Sequence, residues 1–137
     1  MEINNPKKKV LVFGVFDCLH DGHRSLFTHA KILGDLCIVV TPDEIVMQLK
    51  NHTPRQTIIQ RIAVLTREFP DTRIVKGDTE LNSWNILLGE KPDIVLLGYD
   101  QQALRESLEQ FLEKNKLPIS IEVGLSYKGD ILHSSML

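Results

Sequence analysis

The stretch VLVFGVFDCLHDGHRSLFTHAKILGD, Val10 to Asp35, contains a strand, a turn and a helix in direct succession. A short apolar run ends at Gly14, which is typical of a strand buried on both faces of a parallel sheet. Two histidines three positions apart follow, with Gly22 between them, and Gly34 stands where a glycine commonly ends a helix. Apolar residues recur between these glycines at helical spacing, at Leu26, Phe27, Ala30 and Leu33.

The rest of the chain repeats this alternation of strand and helix. Further strands are predicted at residues 36–41, 72–77, 93–98 and 118–124. Helices are predicted over residues 22–33, from after Pro54 to Phe69, over residues 82–92 with Asn82 or Ser83 as the cap, and over residues 101–116. Pro42 to Pro54 has no clear period and is interpreted as a loop or a short helix.

Strands that alternate with helices imply right-handed crossovers and a parallel sheet. We therefore expect an α/β fold, a Rossmann-like doubly wound sheet of about five parallel strands with helices on both faces. Since no linker, repeat or low-complexity segment divides the chain, residues 1–137 are expected to form a single domain.

The bulk composition restricts the possible partners. The net charge is −2, with acidic and basic residues mixed along the 137-residue chain, so neither a nucleic acid nor a membrane has electrostatic support as a partner. No apolar run approaches the length of a membrane span. Cys18 and Cys37 lack metal-type spacing and are expected to be reduced, which favours a cytoplasmic location.

The histidine pair lies where a doubly wound sheet binds its ligands. Such ligands lie outside the carboxyl ends of the strands, where the strand order reverses. His20 and His23 fall at the start of the helix, where free backbone N–H groups attract an anion, and Gly22 lets a phosphate approach closely. One alternative is that the two histidines bind a metal, and another is that they are surface or capping residues with no function. The preceding strand and Gly22 disfavour both alternatives. The absence of G-x-G-x-x-G and of a P-loop lysine argues against a dehydrogenase and a Walker-type kinase.

The string GVFDCLHDGH, Gly14 to His23, resembles the G-x-F-D-x-x-H-x-G-H signature of the cytidylyltransferase-like nucleotidyltransferases. Their H-x-G-H is related to the HIGH motif of class I aminoacyl-tRNA synthetases. The resemblance implies that a nucleoside triphosphate binds with Mg²⁺ or another divalent cation, and that a phosphorylated small molecule attacks its α-phosphate and releases pyrophosphate. It implies that His20 and His23 are catalytic, and that the nucleotide is also bound by Gly14, Val15, Phe16, Asp17 and Gly22.

Two basic residues of this sequence, Lys50 and Arg61, match positions where the same family commonly has a basic residue. Lys50 stands where the family commonly has a lysine after the second strand, and Arg61 stands where an arginine opens the third helical segment. The resemblance implies that either supplies positive charge to the triphosphate or the acceptor phosphate. The alternatives are a solvated loop lysine and a surface helix charge.

The segment DIVLLGYDQ, residues 93–101, resembles archaeal-type FAD synthases, which transfer AMP from ATP to FMN. The resemblance places Gly98 against the nucleotide, with Asp100 and Gln101 near the base or ribose. Asp100 has a second interpretation as the N-cap of the next helix. These residues favour adenylylation of FMN, and the alternatives are CDP-alcohol synthesis, such as CDP-glycerol formation, and a non-catalytic nucleotide-binding module. Homodimers are common in the resembling family.

The last residues, KGDILHSSML, resemble a segment that binds phosphates in this family, with Ser134 and Ser135 in two of its positions. His133 and Met136 depart from the family pattern. The sequence stops at Leu137, so we expect a short member, a site completed by another chain, or weakened triphosphate binding. Lys128 is the nearest basic residue to the position of a common cytidylyltransferase arginine, which favours ATP over CTP.

Overall fold

The computed structural model describes residues 7–124. Five strands and five helices follow one another in these residues: β1 (Lys9–Gly14), α1 (Asp21–Leu33), β2 (Asp35–Val40), α2 (Asp43–Lys50), α3 (Ile58–Glu68), β3 (Arg73–Lys76), α4 (Asn85–Glu90), β4 (Ile94–Leu97), α5 (Gln102–Asn115) and β5 (Ser120–Val123). None of these helices is long and apolar enough to span a membrane.

The strands form one parallel sheet in the order β3-β2-β1-β4-β5, which confirms the predicted fold class. The order reverses at β1, because the chain moves outward through β2 and β3 and then returns to place β4 on the other side. The carboxyl ends of β1 and β4 therefore flank the predicted ligand site.

Each face of the sheet is covered by two helices. On one face, Phe27 and Ala30 of α1 and Leu65 of α3 pack against alternate residues of β1, β2 and β4. On the other face, α4 and α5 bury Leu87 and Leu108 against the remaining strand residues. The two cores explain the continuous apolar runs, since a strand covered on both faces has no polar side.

One local alternative is decided by the structure, and one local expectation changes. The segment after Pro42, predicted as a loop or a short helix, contains the short helix α2, which is followed by Asn51 in the left-handed conformation. The predicted caps of α4 were wrong: the helix begins at Asn85, and Trp84 precedes it without a side-chain capping bond. A carboxylate from farther back, Asp78, accepts the hydrogen bond of the Ile86 N–H instead, at 3.0 Å.

An ion-pair cluster holds the amino end of the sheet together. Glu90, whose side chain is 10% exposed, accepts hydrogen bonds from Lys9 Nζ at 2.7 Å and from Arg73 Nε and Nη2 at 2.8 and 2.9 Å. The bonds from Arg73 lower the Glu90 pKa most; burial opposes them, Lys9 adds to them, and the resulting pKa is about 2. The cluster joins the end of α4 to β1 and β3.

Glu90→Gln is expected to lower the free energy of unfolding at pH 7 by about 2 kcal/mol, because hydrogen bonds to a charged group are lost. The folded-state pKa lies below the unfolded value near 4.5, so this stabilisation is present above pH 4.5 and declines as the pH falls towards 2. Urea unfolding of both proteins at pH 7 and pH 3 measures it.

The control is Glu68→Gln, which breaks an exposed carboxylate pair with Arg24 and is expected to cost at most about 1 kcal/mol. A Glu90→Gln penalty that is as large at pH 3 as at pH 7 would contradict the assignment of the charge.

Candidate active site

A crevice of about 1460 Å³ opens at the carboxyl edge of the sheet. The ends of β1 and β4, the start of α1, one side of α2 and the loop before α4 contribute to its walls. Most of the predicted site residues line it: Gly14, Val15, Phe16, Asp17, His20, Gly22, His23, Lys50, Gly98, Asp100 and Gln101. Arg61 does not, and Ser134 and Ser135 lie outside the described residues.

The two histidines cap α1 reciprocally. His20 is the N-cap residue, and its Nδ1 accepts the Gly22 N–H at 3.1 Å. His23 Nδ1 accepts the His20 N–H at 3.3 Å. This is a capping box in which imidazoles take the places usually held by a hydroxyl and a carboxylate or amide. The rings stack with their centroids 3.7 Å apart and their planes 21° from parallel.

These hydrogen bonds assign the tautomers of both rings. Because each Nδ1 accepts a backbone N–H, the proton of the neutral ring is on Nε2. Both imidazoles therefore retain an Nε2–H donor. Gly22 makes this packing possible, since a Cβ there would lie 2.9 Å from Cε1 of His20.

His23 is neutral at physiological pH. Burial lowers its pKa most, the neighbouring His20 and Arg24 lower it further, Asp100 opposes them, and the resulting pKa is about 4. Phe16 contributes to this burial, with its ring edge-on to His23 at 5.2 Å between centroids. His23 thus presents an uncharged N–H donor at the positive end of a helix.

The turn that carries the histidines is strained and tightly held. Phe16 and Cys18 have φ values of 53° and 62°, which side chains rarely adopt. The Asp17 carboxylate accepts the backbone N–H groups of Arg55 and Gln56 at 2.7 and 2.9 Å. Burial alone would raise the Asp17 pKa, but these hydrogen bonds outweigh it and the pKa is lowered. The turn is therefore fastened to the segment before α3.

Arg61 lies beneath the crevice, in contrast to both interpretations from the sequence. Its side chain is fully buried, so it is neither a surface charge nor a group that lines the triphosphate site. Its Nη1 donates to the carbonyls of Val15 at 2.7 Å and Thr41 at 2.8 Å, and its Nε donates to that of Gln56 at 3.0 Å. Its Nη2 pairs with Asp43 at 2.5 Å. Arg61 holds the crevice in shape from below.

Two polar residues that follow β4 have different roles: Gln101 connects two strands, and Asp100 lines the crevice. Gln101 accepts the Gly98 N–H at 2.7 Å and donates to the Phe13 carbonyl at 3.0 Å, so its amide ties β4 to β1. Gln101 is also the N-cap position of α5, so the interpretation of Asp100 as that cap was wrong. Asp100 faces the crevice beside Gly98 and adds to the negative potential at His23.

The comparisons with known proteins agree with this geometry. A family model described as cytidylyltransferase-like matches residues 11–133. The chain belongs to the cytidylyltransferase-like family. Its relatives include the FAD synthases of Thermococcus sibiricus, 33% identical over 96% of this chain and 91% of that protein, and of Korarchaeum cryptofilum, 34% identical over 95% and 89%. The chain is accordingly a nucleotidyltransferase, the reaction class that the histidine motif predicted.

Solved structures extend the comparison to the fold. A lipopolysaccharide core biosynthesis protein from Thermoplasma volcanium is 29% identical with a TM-score of 0.78, over 88% of this chain and 98% of that one. A pantoate-beta-alanine ligase from Francisella tularensis shares the fold, with a TM-score of 0.58 at 18% identity over 86% of this chain and 59% of that one.

Two residues that line the crevice, Trp84 and His29, were not predicted from the sequence. The loop before α4 places Trp84 in the wall, edge-on to Phe13 at 5.4 Å between centroids. Its Nε1 donates to Ser107 Oγ at 2.9 Å, and that hydroxyl donates to Asn82 Oδ1 at 2.9 Å, which fixes the indole. His29, on α1, also lines the crevice. A lone tryptophan in the sequence was the sole signal for Trp84, and nothing local distinguished His29.

A positively charged side chain, that of Lys50, lies at the crevice wall of this nucleotidyltransferase. Lys50 ends α2 and is exposed at the wall, as its predicted role requires, with His52 two residues later. Within residues 7–124, no group of three or more metal-ligating side chains is clustered. The local arrangement therefore offers donors and positive charge to a polyphosphate.

In the free protein, His23 is expected to titrate near pH 4 and to carry its proton on Nε2 at pH 7. Nitrogen–proton correlation spectra of the imidazoles, recorded from pH 3 to pH 8, measure both properties. A nucleoside triphosphate should raise the His23 pKa, because a nearby negative charge stabilises the imidazolium.

A free-protein pKa near the ordinary value of about 6.5, or a proton on Nδ1 of His23, would contradict the capping-box assignment.

Proposed function

We propose that this nucleotidyltransferase is an FMN adenylyltransferase, which forms FAD and pyrophosphate from ATP and FMN. The observation that carries the proposal is the union of two unlike regions in one crevice: a histidine-capped helix N-terminus and a broad aromatic and aliphatic chamber. The FAD synthases that resemble this chain over most of its length support the same assignment.

The triphosphate binds at the start of α1. The Nε2–H groups of His20 and His23 donate to its oxygens, and the N-terminus of α1 adds a favourable dipole. Lys50 reaches the phosphates from the opposite wall as a flexible cation. Mg²⁺ or another divalent cation would be held chiefly by the nucleotide's own phosphates, as hard cations commonly are, and would supply charge neutralisation there.

The reaction is one displacement at the α-phosphorus. A phosphate oxygen of FMN forms a bond to the α-phosphorus of ATP, and the bond from that phosphorus to the oxygen bridging to the β-phosphate breaks. The electron pair leaves with pyrophosphate, and no covalent enzyme intermediate is required. His20, His23 and Lys50 stabilise the negative charge that shifts onto the phosphoryl oxygens, while the crevice aligns the two substrates.

The acceptor chamber lies on the α4 and α5 side of the sheet. Trp84 is only 6% exposed and belongs to the packed core behind the chamber, where Phe13 packs against it. Apolar side chains of α2, of α5 and of the loop before α4 line the chamber: Ile45, Leu49, Leu81, Ala103 and Leu104. A planar isoalloxazine ring buries its faces well against such surfaces, whereas glycerol phosphate has almost no apolar area to bury. The crevice also exceeds the 300–1000 Å³ typical of single-ligand sites, so it accommodates two substrates.

The remaining predicted site residues take supporting roles in the proposal. Asp17 and Arg61 position the histidine turn through backbone groups, and Gln101 braces the two central strands. Asp100 accepts a hydroxyl of the ribose, because its carboxylate faces the crevice beside Gly98. Phosphate binding by Ser134 and Ser135 stays a prediction.

We also propose a cellular location, a domain organisation and an oligomeric state for the enzyme. Cys18 and Cys37 are both free thiols in the structure, in keeping with a cytoplasmic enzyme. Residues 7–124 share one sheet, which supports a single domain. Homodimer formation remains a prediction from the resemblance to the family.

Trp84 is the protein's single tryptophan, so flavin binding can be observed directly. FMN is expected to quench its fluorescence by energy transfer, and glycerol 3-phosphate is expected to leave it unchanged. Incubation with ATP, FMN and Mg²⁺ should then release pyrophosphate and FAD in equal amounts. Trp84→Leu should raise the KM for FMN about tenfold, because Trp84 supports the chamber wall through its packing against Phe13.

The matched control is Phe111→Leu, which removes an aromatic ring that packs against the same core but does not line the crevice. Pyrophosphate release with CTP and glycerol 3-phosphate, but not with ATP and FMN, would overturn the proposed substrates. Quenching by FMN without product on long incubation would overturn the catalytic assignment.

A further inference from the structure

The phosphate of the acceptor needs positive donors, which the crevice walls supply sparingly. Within residues 7–124, Lys50 is the one lysine or arginine that lines the crevice, because Arg61 is buried beneath it. Five carboxylates line the same crevice: Asp17, Asp21, Asp78, Glu80 and Asp100. An acceptor phosphate beside a triphosphate adds further negative charge, and like charges that lie close together repel. A second cationic donor is therefore expected near the point of attack.

His52 is a crevice residue that the proposed chemistry does not use. It is exposed and comes directly after Asn51, whose left-handed conformation ends α2. Its Nδ1 lies 3.0 Å from the backbone carbonyl oxygen of Thr53. Because a carbonyl oxygen can only accept a hydrogen bond, Nδ1 carries a proton. The other ring nitrogen, Nε2, forms no hydrogen bond with residues 7–124 and is available to a ligand.

The loop from α2 to α3 places His52 between the acceptor chamber and the histidine turn. On one side, Leu49 of the chamber is three residues before His52. On the other side, Arg55 is three residues after it, and the Arg55 N–H donates to the Asp17 carboxylate of the histidine turn at 2.7 Å. Three residues span at most about 11 Å, so His52 lies close to both. An acceptor whose ring is in the chamber therefore extends its phosphate past this loop to reach the triphosphate.

We propose that His52 binds the phosphate of the acceptor as an imidazolium, with Nδ1–H on the Thr53 carbonyl and Nε2–H on a phosphate oxygen. This inference rests on the proposed function, because it takes FMN as the acceptor and leaves His20 and His23 to the triphosphate. In a neutral ring the Nε2 lone pair would face the phosphate, so binding favours the protonated ring, which a nearby dianion stabilises. Hydrogen bonds between two charged groups are also stronger than those between neutral ones.

The test compares FMN with riboflavin, which has the same ring system without the phosphate. Quenching of Trp84 fluorescence measures the Kd of both flavins for wild type and for His52→Ala. The Kd for FMN is expected to rise about tenfold, because a charge-assisted hydrogen bond is lost, while the Kd values for riboflavin and for ATP change less than about twofold. His52→Lys restores a positive donor and should bring the Kd for FMN to within about threefold of wild type.

Arg67→Gln is the matched control, because it removes an exposed positive charge of α3 that does not line the crevice, and it should leave FMN binding unchanged. If His52→Ala weakens FMN and riboflavin equally, or leaves FMN binding unchanged, His52 does not bind the acceptor phosphate. An equal rise in the Kd values for ATP and FMN would also overturn the proposal. A wild-type protein that binds neither flavin or produces no FAD overturns the proposed function instead, and that result is visible before any variant is made.

Discussion

The guanidinium of Arg61 joins the three segments that shape the crevice. It donates to carbonyls of the turn after β1, of the residue after β2 and of the segment before α3, and it pairs with Asp43 at the start of α2. A buried charge is tolerated where it is paired and its donors are used, and the four bonds of Arg61 meet that condition. The turn that it holds contains two residues in the left-handed region, which persist only where the surroundings determine them.

The hydrogen bonds that cap α1 also orient the two histidines for their role in the reaction. Each imidazole uses Nδ1 to satisfy a backbone N–H of α1, so its orientation and tautomer are set by the same bond. Each neutral ring then has Nε2–H left for a ligand at the positive end of a helix, and the lowered pKa of His23 keeps that ring uncharged in the free protein. Donors that are already oriented need no reorganisation when charge develops on the reacting phosphate, which is the usual source of large rate enhancements.

The order of strands and helices, the strand reversal and the histidine motif were predictable because they depend on local patterns. An apolar run predicts a buried strand, and apolar residues at helical spacing that end at a glycine predict a helix. Arg61, Gln101 and Trp84 were not predictable in the same way. Their partners lie far away in the sequence, as in the bond from Gln101 to Phe13, and no pattern records such a contact. The cap of α4 was wrong for the same reason, since Asp78 replaces the neighbouring residues.

Single-turnover rates of two variants test directly whether His23 acts as a neutral donor whose Nδ1 caps the helix. His23→Gln and His23→Glu both keep an acceptor for the His20 N–H, so both should retain the fold. The glutamine also keeps an N–H donor and should react within about tenfold of wild type, whereas the glutamate has none and should be slower by about 10² or more. Equal loss in both variants would contradict the neutral-donor account, and so would a glutamate variant that reacts as fast as wild type.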